Sequence, residues 1–130
     1  MPNSIASTDV LIVDDNADHR KFFVAALVRD GITTEQAESG QAALRRLRQK
    51  SFRLVVSDVE MKDGDGIWLL SQIQNEMPSM PVILISAGSI DRRTAFDHGA
   101  LDCLLKPCPL AVFRKTVRVA LEEISHSLKN

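Results

Sequence analysis

The sequence predicts a single α/β domain, a doubly wound parallel sheet with helices on both faces. Three observations predict it. Short apolar runs alternate with helix-period patterns from end to end, giving five βα units. Three of those runs, Val10-Leu11-Ile12-Val13, Leu54-Val55-Val56 and Val82-Ile83-Leu84-Ile85, are continuously apolar, as strands buried on both faces are. Polar residues then recur at the ends of the runs, where open α/β sheets bind their ligands.

In chain order, the first strand is Val10 to Val13, and Ala17 to Arg29 follows as a helix with Phe22, Phe23, Ala26 and Leu27 in one stripe. Gly31 stops it. Ile32 to Ala37 is a weaker, more polar strand suited to a sheet edge. Ser39 and Gly40 open a second helix carrying Ala43, Leu44 and Leu47, closed by basic residues through Lys50 that complement the helix dipole. The third strand is Arg53 to Ser57, and Met61 to Gly66 is a turn-rich loop. Ile67 to Met77 reads as a helix with Ile67, Leu70, Ile73, Gln74 and Met77 near one face. Trp68 lies one position off that face and is a candidate contact residue. After Pro78 and Pro81 comes the fourth strand, Val82 to Ile85. A short helix over Asp91 to His98 is capped by Gly99, and Leu101 to Leu105 is the fifth strand. The last helix, Leu110 to Leu128, buries Phe113, Val117, Leu121 and Ile124.

Composition bounds the function. A chain of 130 residues, 45% hydrophobic and 25% charged, has the size and balance of one globular domain. A net charge of −1 supplies no basic field for nucleic acid. No apolar stretch is long enough to span a membrane. Residues 1–8 lack the regions of a signal peptide and read as a flexible leader, 9–126 as the domain, and 127–130 as a tail or the start of a linker to an effector. Cys103 and Cys108 form no disulfide framework and read as reduced thiols of a cytoplasmic protein.

Asp14 and Asp15, Asp58, Ser86 and Lys106 all stand at strand ends, so one crevice can collect them. A carboxylate ending a buried strand is costly unless its charge is used or neutralised. Asp58 reads as the reacting group. Three acids drawn together repel, and a divalent cation is the simplest remedy. Magnesium takes oxygen ligands, one or two of them carboxylates, alongside phosphate. No histidine or thiolate joins the cluster, which disfavours zinc or copper; His19, His98 and His126 read as solvated surface groups. With a cation, a lysine and a hydroxyl beside it, Asp58 can attack a phosphoryl group in line and hold it as an acyl phosphate. Magnesium, Lys106 and Ser86 would stabilise charge on the equatorial oxygens. Taken alone, Asp14-Asp15 reads equally well as a helix N-cap. The acidic loop from Glu60 to Asp65 lacks the ligand alternation of a calcium loop.

The residues Val13-Asp14-Asp15, Ser57-Asp58 with Met61 and Asp65-Gly66, Ser86-Ala87, Gly99-Ala100 and Lys106-Pro107 follow one another in order and at near-full-length spacing. Over about Thr8 to Ser125 the chain resembles the receiver domain of two-component response regulators. The resemblance implies a flavodoxin-like five-stranded sheet in order 2-1-3-4-5. It implies phosphorelay signalling rather than enzyme turnover: phosphoryl transfer from a phosphohistidine of a sensor histidine kinase or histidine phosphotransfer protein to Asp58, then slow autodephosphorylation. Asp14 and Asp15 match the magnesium-binding pair, which the Glu60 backbone carbonyl would complete. Ser86 matches the switch hydroxyl, relaying state through the strand 4 to helix 5 region. Lys106 matches the phosphate-binding lysine, with a cis peptide to Pro107. Homodimerisation and a covalently linked effector in a longer protein are further implied partners.

Departures from the family pattern fall on the output side. Lys62 stands where proline is usual, and Gly64 where a larger apolar residue is common. Cys103 replaces the tyrosine or phenylalanine that swings with the switch hydroxyl, and a thiol cannot sweep out a ring's volume. The stretch from Ser86 to Lys106 is short, trimming a face many receivers use to dimerise. Glu60 and Gly88 flank the expected phosphoryl position and are expected to tune its lifetime. Two other function classes compete. One is a receiver-like adaptor that works without phosphorylation. The other is a magnesium-dependent phosphohydrolase of the haloacid-dehalogenase type, for which Asp58-Val59-Glu60 offers glutamate where the second acid is needed.

Overall fold

The computed structural model describes residues 7–129. Among them, five strands alternate with five helices: β1 (Thr8–Val13), α1 (Ala17–Arg29), β2 (Thr34–Ala37), α2 (Gly40–Gln49), β3 (Phe52–Asp58), α3 (Gly66–Glu76), β4 (Val82–Ser86), α4 (Arg92–Asp97), β5 (Asp102–Leu105) and α5 (Leu110–Lys129). The strands are all parallel, in the order β2-β1-β3-β4-β5. The expected fold class and strand order are those observed. The polar strand β2 lies at an edge.

Helices α1 to α4 each start where a short polar side chain satisfies free N–H groups. Asn16 accepts from the amides of Asp18 and His19, Ser39 from Ala42, Asp65 from Trp68, and Asp91 from Thr94. The sheet divides the core into two apolar clusters, as alternation of side chains along each strand requires. Leu11, Val13, Val55 and Leu84 face Ala43, Leu47, Leu70 and Ile73 of α2 and α3. Val10, Ile12, Val56 and Ile83 face Phe23 and Leu27 of α1 and Phe113 and Val117 of α5. The Phe23 and Phe113 rings lie 4.5 Å apart between their centroids.

Some boundaries and faces differ from expectation. Residues 1–6 of the expected leader lie outside the described residues, but Thr8 already belongs to β1, its N–H donating to the Ser51 carbonyl at 3.1 Å. Helix α5 runs to Lys129, one residue past the expected end at Leu128, and so takes in the first residues of the expected tail; Asn130 lies outside the described residues. Phe22 is 53% exposed, because the buried stripe of α1 is narrower than its apolar residues suggest. In α3 the inward face is Leu69, Leu70 and Ile73, and Gln74 points out.

Parallel register is what gathers the site. Val13 pairs with Ser57, so Asp14 comes level with Asp58. Asp58 pairs with Ile85, and Ser86 with Leu105, which sets Ser86 and Lys106 one step further along the same edge.

Candidate functional site

Asp58 ends β3 and is 4% exposed; Asp14 follows β1 and is 3% exposed; Asp15 beside it is open to solvent. One oxygen from each of these three carboxylates lies within 4.8 Å of the others. The Lys106 ammonium stands 2.8 Å from Asp58 Oδ1 and 3.9 Å from Asp14 Oδ2. Lys106 is thus the charge partner of this buried oxygen. Burial pushes the Asp58 carboxyl up to about 6; Lys106 opposes that rise, and Asp14 and Glu60 add to it. Burial alone would lower the Lys106 ammonium, but Asp58 and the neighbouring acids raise it.

The surrounding backbone is braced. Asn16 N–H donates to Asp14 Oδ1 at 2.9 Å, and Arg20 Nη1 to the Asp14 carbonyl at 2.7 Å. Lys62 N–H reaches Asp15 Oδ2 at 3.3 Å, tying the β3–α3 loop to the acidic pair. Gly66 has no room for a side chain. A Cβ there would sit 2.5 Å from the Asp58 carbonyl oxygen, and this approach lets Gly66 N–H donate to Val59 O. The Lys106–Pro107 peptide is cis, as the resemblance implies, and Lys106 N–H donates to Ser86 O at 2.8 Å.

Ser86 is fully buried, and its hydroxyl donates to Glu60 Oε2 at 2.8 Å. The same carboxylate accepts from Ala87 N–H at 2.8 Å, Ser89 N–H at 3.3 Å and the Ser89 hydroxyl. Partial burial works against the Glu60 charge, but these donors hold its pKa at about 2. Gly88, at φ +118°, has open space where a side chain would be, and its N–H donates to Ser86 Oγ at 3.0 Å.

Besides the Glu60 contacts, the amino-acid sequence did not foretell those of His19, Arg20 and Trp68. His19, expected as a plain surface histidine, is half exposed, yet its Nδ1 lies 3.7 Å from Asp14 Oδ2. The available signal was its place in the first turn of the helix that follows Asp14. Arg20 was likewise missed. Trp68, a candidate contact residue, is half-buried instead: its ring lies against Gly64 and Gly40, filling the space that the small residue at 64 leaves. Cys103 is buried and Cys108 half-buried; neither is in a disulfide, and burial raises both thiols.

The donor set fits a hard divalent cation. Every ligand atom is oxygen, and three carboxylates converge, two of them buried.

A parallel sheet with its acids, hydroxyl and lysine gathered at one carboxyl edge is the architecture of receiver-type signalling domains. The family model for the response regulator receiver domain matches residues 10–118, and the chain belongs to that family. Transcriptional regulatory protein ZraR of Klebsiella oxytoca is 37% identical over 115 residues, which cover 87% of this chain and 26% of ZraR. The KDP operon regulator KdpE of Escherichia coli is 36% identical over 120 residues, covering 91% of this chain and 53% of KdpE. The chain thus spans from about a quarter to about half the length of these relatives. The crystal structure of the NtrX receiver domain from Brucella abortus superposes with a TM-score of 0.82 at 32% identity, covering 88% of this chain and 98% of that one. The chain is therefore a receiver domain of two-component signalling.

Proposed function

We propose that Asp58 accepts a phosphoryl group from the phosphohistidine of a sensor histidine kinase or a histidine phosphotransfer protein. The observation that carries this reading is the buried Asp58 carboxylate, gathered with Asp14 and Asp15 and held 2.8 Å from the Lys106 ammonium. An Asp58 oxygen attacks phosphorus in line. The P–O bond forms as the P–N bond breaks, and the imidazole keeps the electron pair. Lys106, positioned by its backbone bond to Ser86, meets charge on the phosphoryl oxygens. The Ser86 hydroxyl, at the adjacent strand end, is the second donor. Asp14, Asp15 and Asp58, with the Glu60 carbonyl, would hold magnesium, which when bound supplies the positive charge that offsets these acids and the incoming phosphate.

The acyl phosphate then returns slowly to carboxylate by attack of water. The open space at Gly88 is the approach for that water, and side chains placed there lengthen the lifetime. The phosphorylated domain acts on a linked effector in a longer protein or on a separate partner, a homodimer among the candidates, in the cytoplasm. Among the described residues no helix is long and apolar enough to cross a membrane. The phosphohydrolase reading finds little support, because the Glu60 carboxylate is committed to the 86–89 segment rather than left as an acid/base.

Intact mass after incubation with acetyl phosphate and magnesium tests the proposal. One added phosphoryl group, absent in Asp58→Asn and without magnesium, is expected. No adduct from acetyl phosphate or from a phosphorylated histidine partner would reject it and leave the adaptor reading.

A further inference from the structure

Resting on the phosphoacceptor reading, we propose that Glu60 is an internal anion that latches the 86–89 segment at rest. A phosphoryl group on Asp58 must displace it from the Ser86 hydroxyl and the Ala87 amide. Four donors from this segment converge on one carboxylate: Ser86 Oγ, Ala87 N–H, Ser89 N–H and Ser89 Oγ. They come from a stretch 26 to 29 residues away in sequence, brought beside Glu60 by the β3–β4 pairing, in which Val59 N–H donates to Ile85 O. Glu60 thus makes the contacts of an oxyanion with a hydroxyl and a backbone amide, the donor types a phosphoryl group needs at the same sheet edge.

The exclusivity follows from counting protons. A serine hydroxyl has one hydrogen to donate, and an amide has one. While both go to Glu60, neither can go to phosphate. A phosphoryl group also brings close to two negative charges to within two residues of the Glu60 carboxylate. Both effects act in one direction: the latch opens, and the carboxylate leaves toward solvent.

Opening frees the segment that leads into α4, a helix of only six residues. Phe96 of α4 and Leu105 of β5 are exposed nearby, at 45% and 50%, so this is a surface whose shape the segment can alter. Cys103 is buried and carries no ring to rotate. The moving part in this domain is the acid–loop contact.

Two measurements on the full chain test the latch. The first is amide hydrogen exchange of the unphosphorylated protein, read residue by residue by NMR. Ala87 and Ser89 amides are expected to exchange about tenfold faster in Glu60→Ala. Glu60→Gln, which keeps an acceptor oxygen without the charge, should fall between. Unchanged protection in both variants overturns the latch. The second is titration with beryllofluoride and magnesium, followed by chemical shifts, with Asp58→Asn as the non-binding control. Glu60→Ala is expected to bind about three- to tenfold more tightly than wild type. Equal or weaker binding overturns the competition. No binding by wild type would sink the phosphoacceptor reading and the displacement with it, whereas unchanged exchange sinks the latch alone.

Discussion

Asp58 sits where a carboxylate costs stability, enclosed and facing Asp14, with Lys106 as partial relief. Asp58→Asn is expected to raise the unfolding free energy of the metal-free protein by about 1–3 kcal/mol, since it removes a buried charge and its repulsion. Urea denaturation in chelator at neutral pH checks this; equal or lower stability would mean that Lys106 compensates fully. Asp9 shows the opposite balance. Partial burial disfavours its charge, but Thr33 N–H at 2.9 Å and Arg53 at 3.1 Å hold its carboxyl below the usual aspartate range. A carboxyl lowered in the folded state adds stability above its unfolded pKa and loses it as pH falls through the folded one. Asp9→Asn should therefore cost about 1 kcal/mol at pH 7, discounted for partial exposure, and progressively less below about pH 4. A penalty independent of pH would assign the loss to packing. At this scale the convergence of Asp14, Asp58 and Lys106 was legible, because each ends an apolar run. The Glu60 contacts were not: a sequence marks an acid two residues past Asp58 but not the loop geometry that presents four donors to it.

Between elements, the tightest junction is that of β3 with α3, where Gly66 packs against the Asp58 carbonyl. Gly66→Ala is expected to cost about 2 kcal/mol, since the clash is with backbone and cannot be relieved by a rotamer change. It should also slow phosphorylation by acetyl phosphate, because the strand end that moves carries Asp58. Denaturation and the rate of mass gain check the two parts separately, and an unchanged rate would separate the junction from the chemistry. Helix and strand existence was readable from periodicity and caps throughout. Faces were less so. The pair Leu69-Leu70 admits two helical orientations, and only the packing of α3 against β3 and β4 selects the one that turns Gln74 outward. Trp68 belongs to the same lesson: its environment depends on Gly40 and Gly64, which the α2 and α3 amino ends bring together through Gly40 N–H to Gly64 O at 2.9 Å.

For the whole molecule, the sheet has a cluster of apolar side chains on each face and its chemistry on one rim. A cation held by Asp14, Asp15 and Asp58 would bind only the folded chain, so magnesium is expected to raise the melting temperature. At about a hundred times its dissociation constant it stabilises by about 2.7 kcal/mol. A magnesium-induced shift as large in Asp58→Asn with Asp14→Asn as in wild type would place the ion elsewhere. Topology was readable at this scale because continuous apolar strands alternating with helices leave few ways to cover both faces.

The protein contains one tryptophan and no tyrosine, and the Trp68 ring rests on Gly64 in the loop that also carries Glu60 and Lys62. Light absorbed by that ring is therefore emitted from one place, against the loop that follows Asp58. The domain has a built-in optical reporter: cation binding, acyl phosphate formation and its decay should each be followed in real time through emission intensity, without a label or a coupled assay.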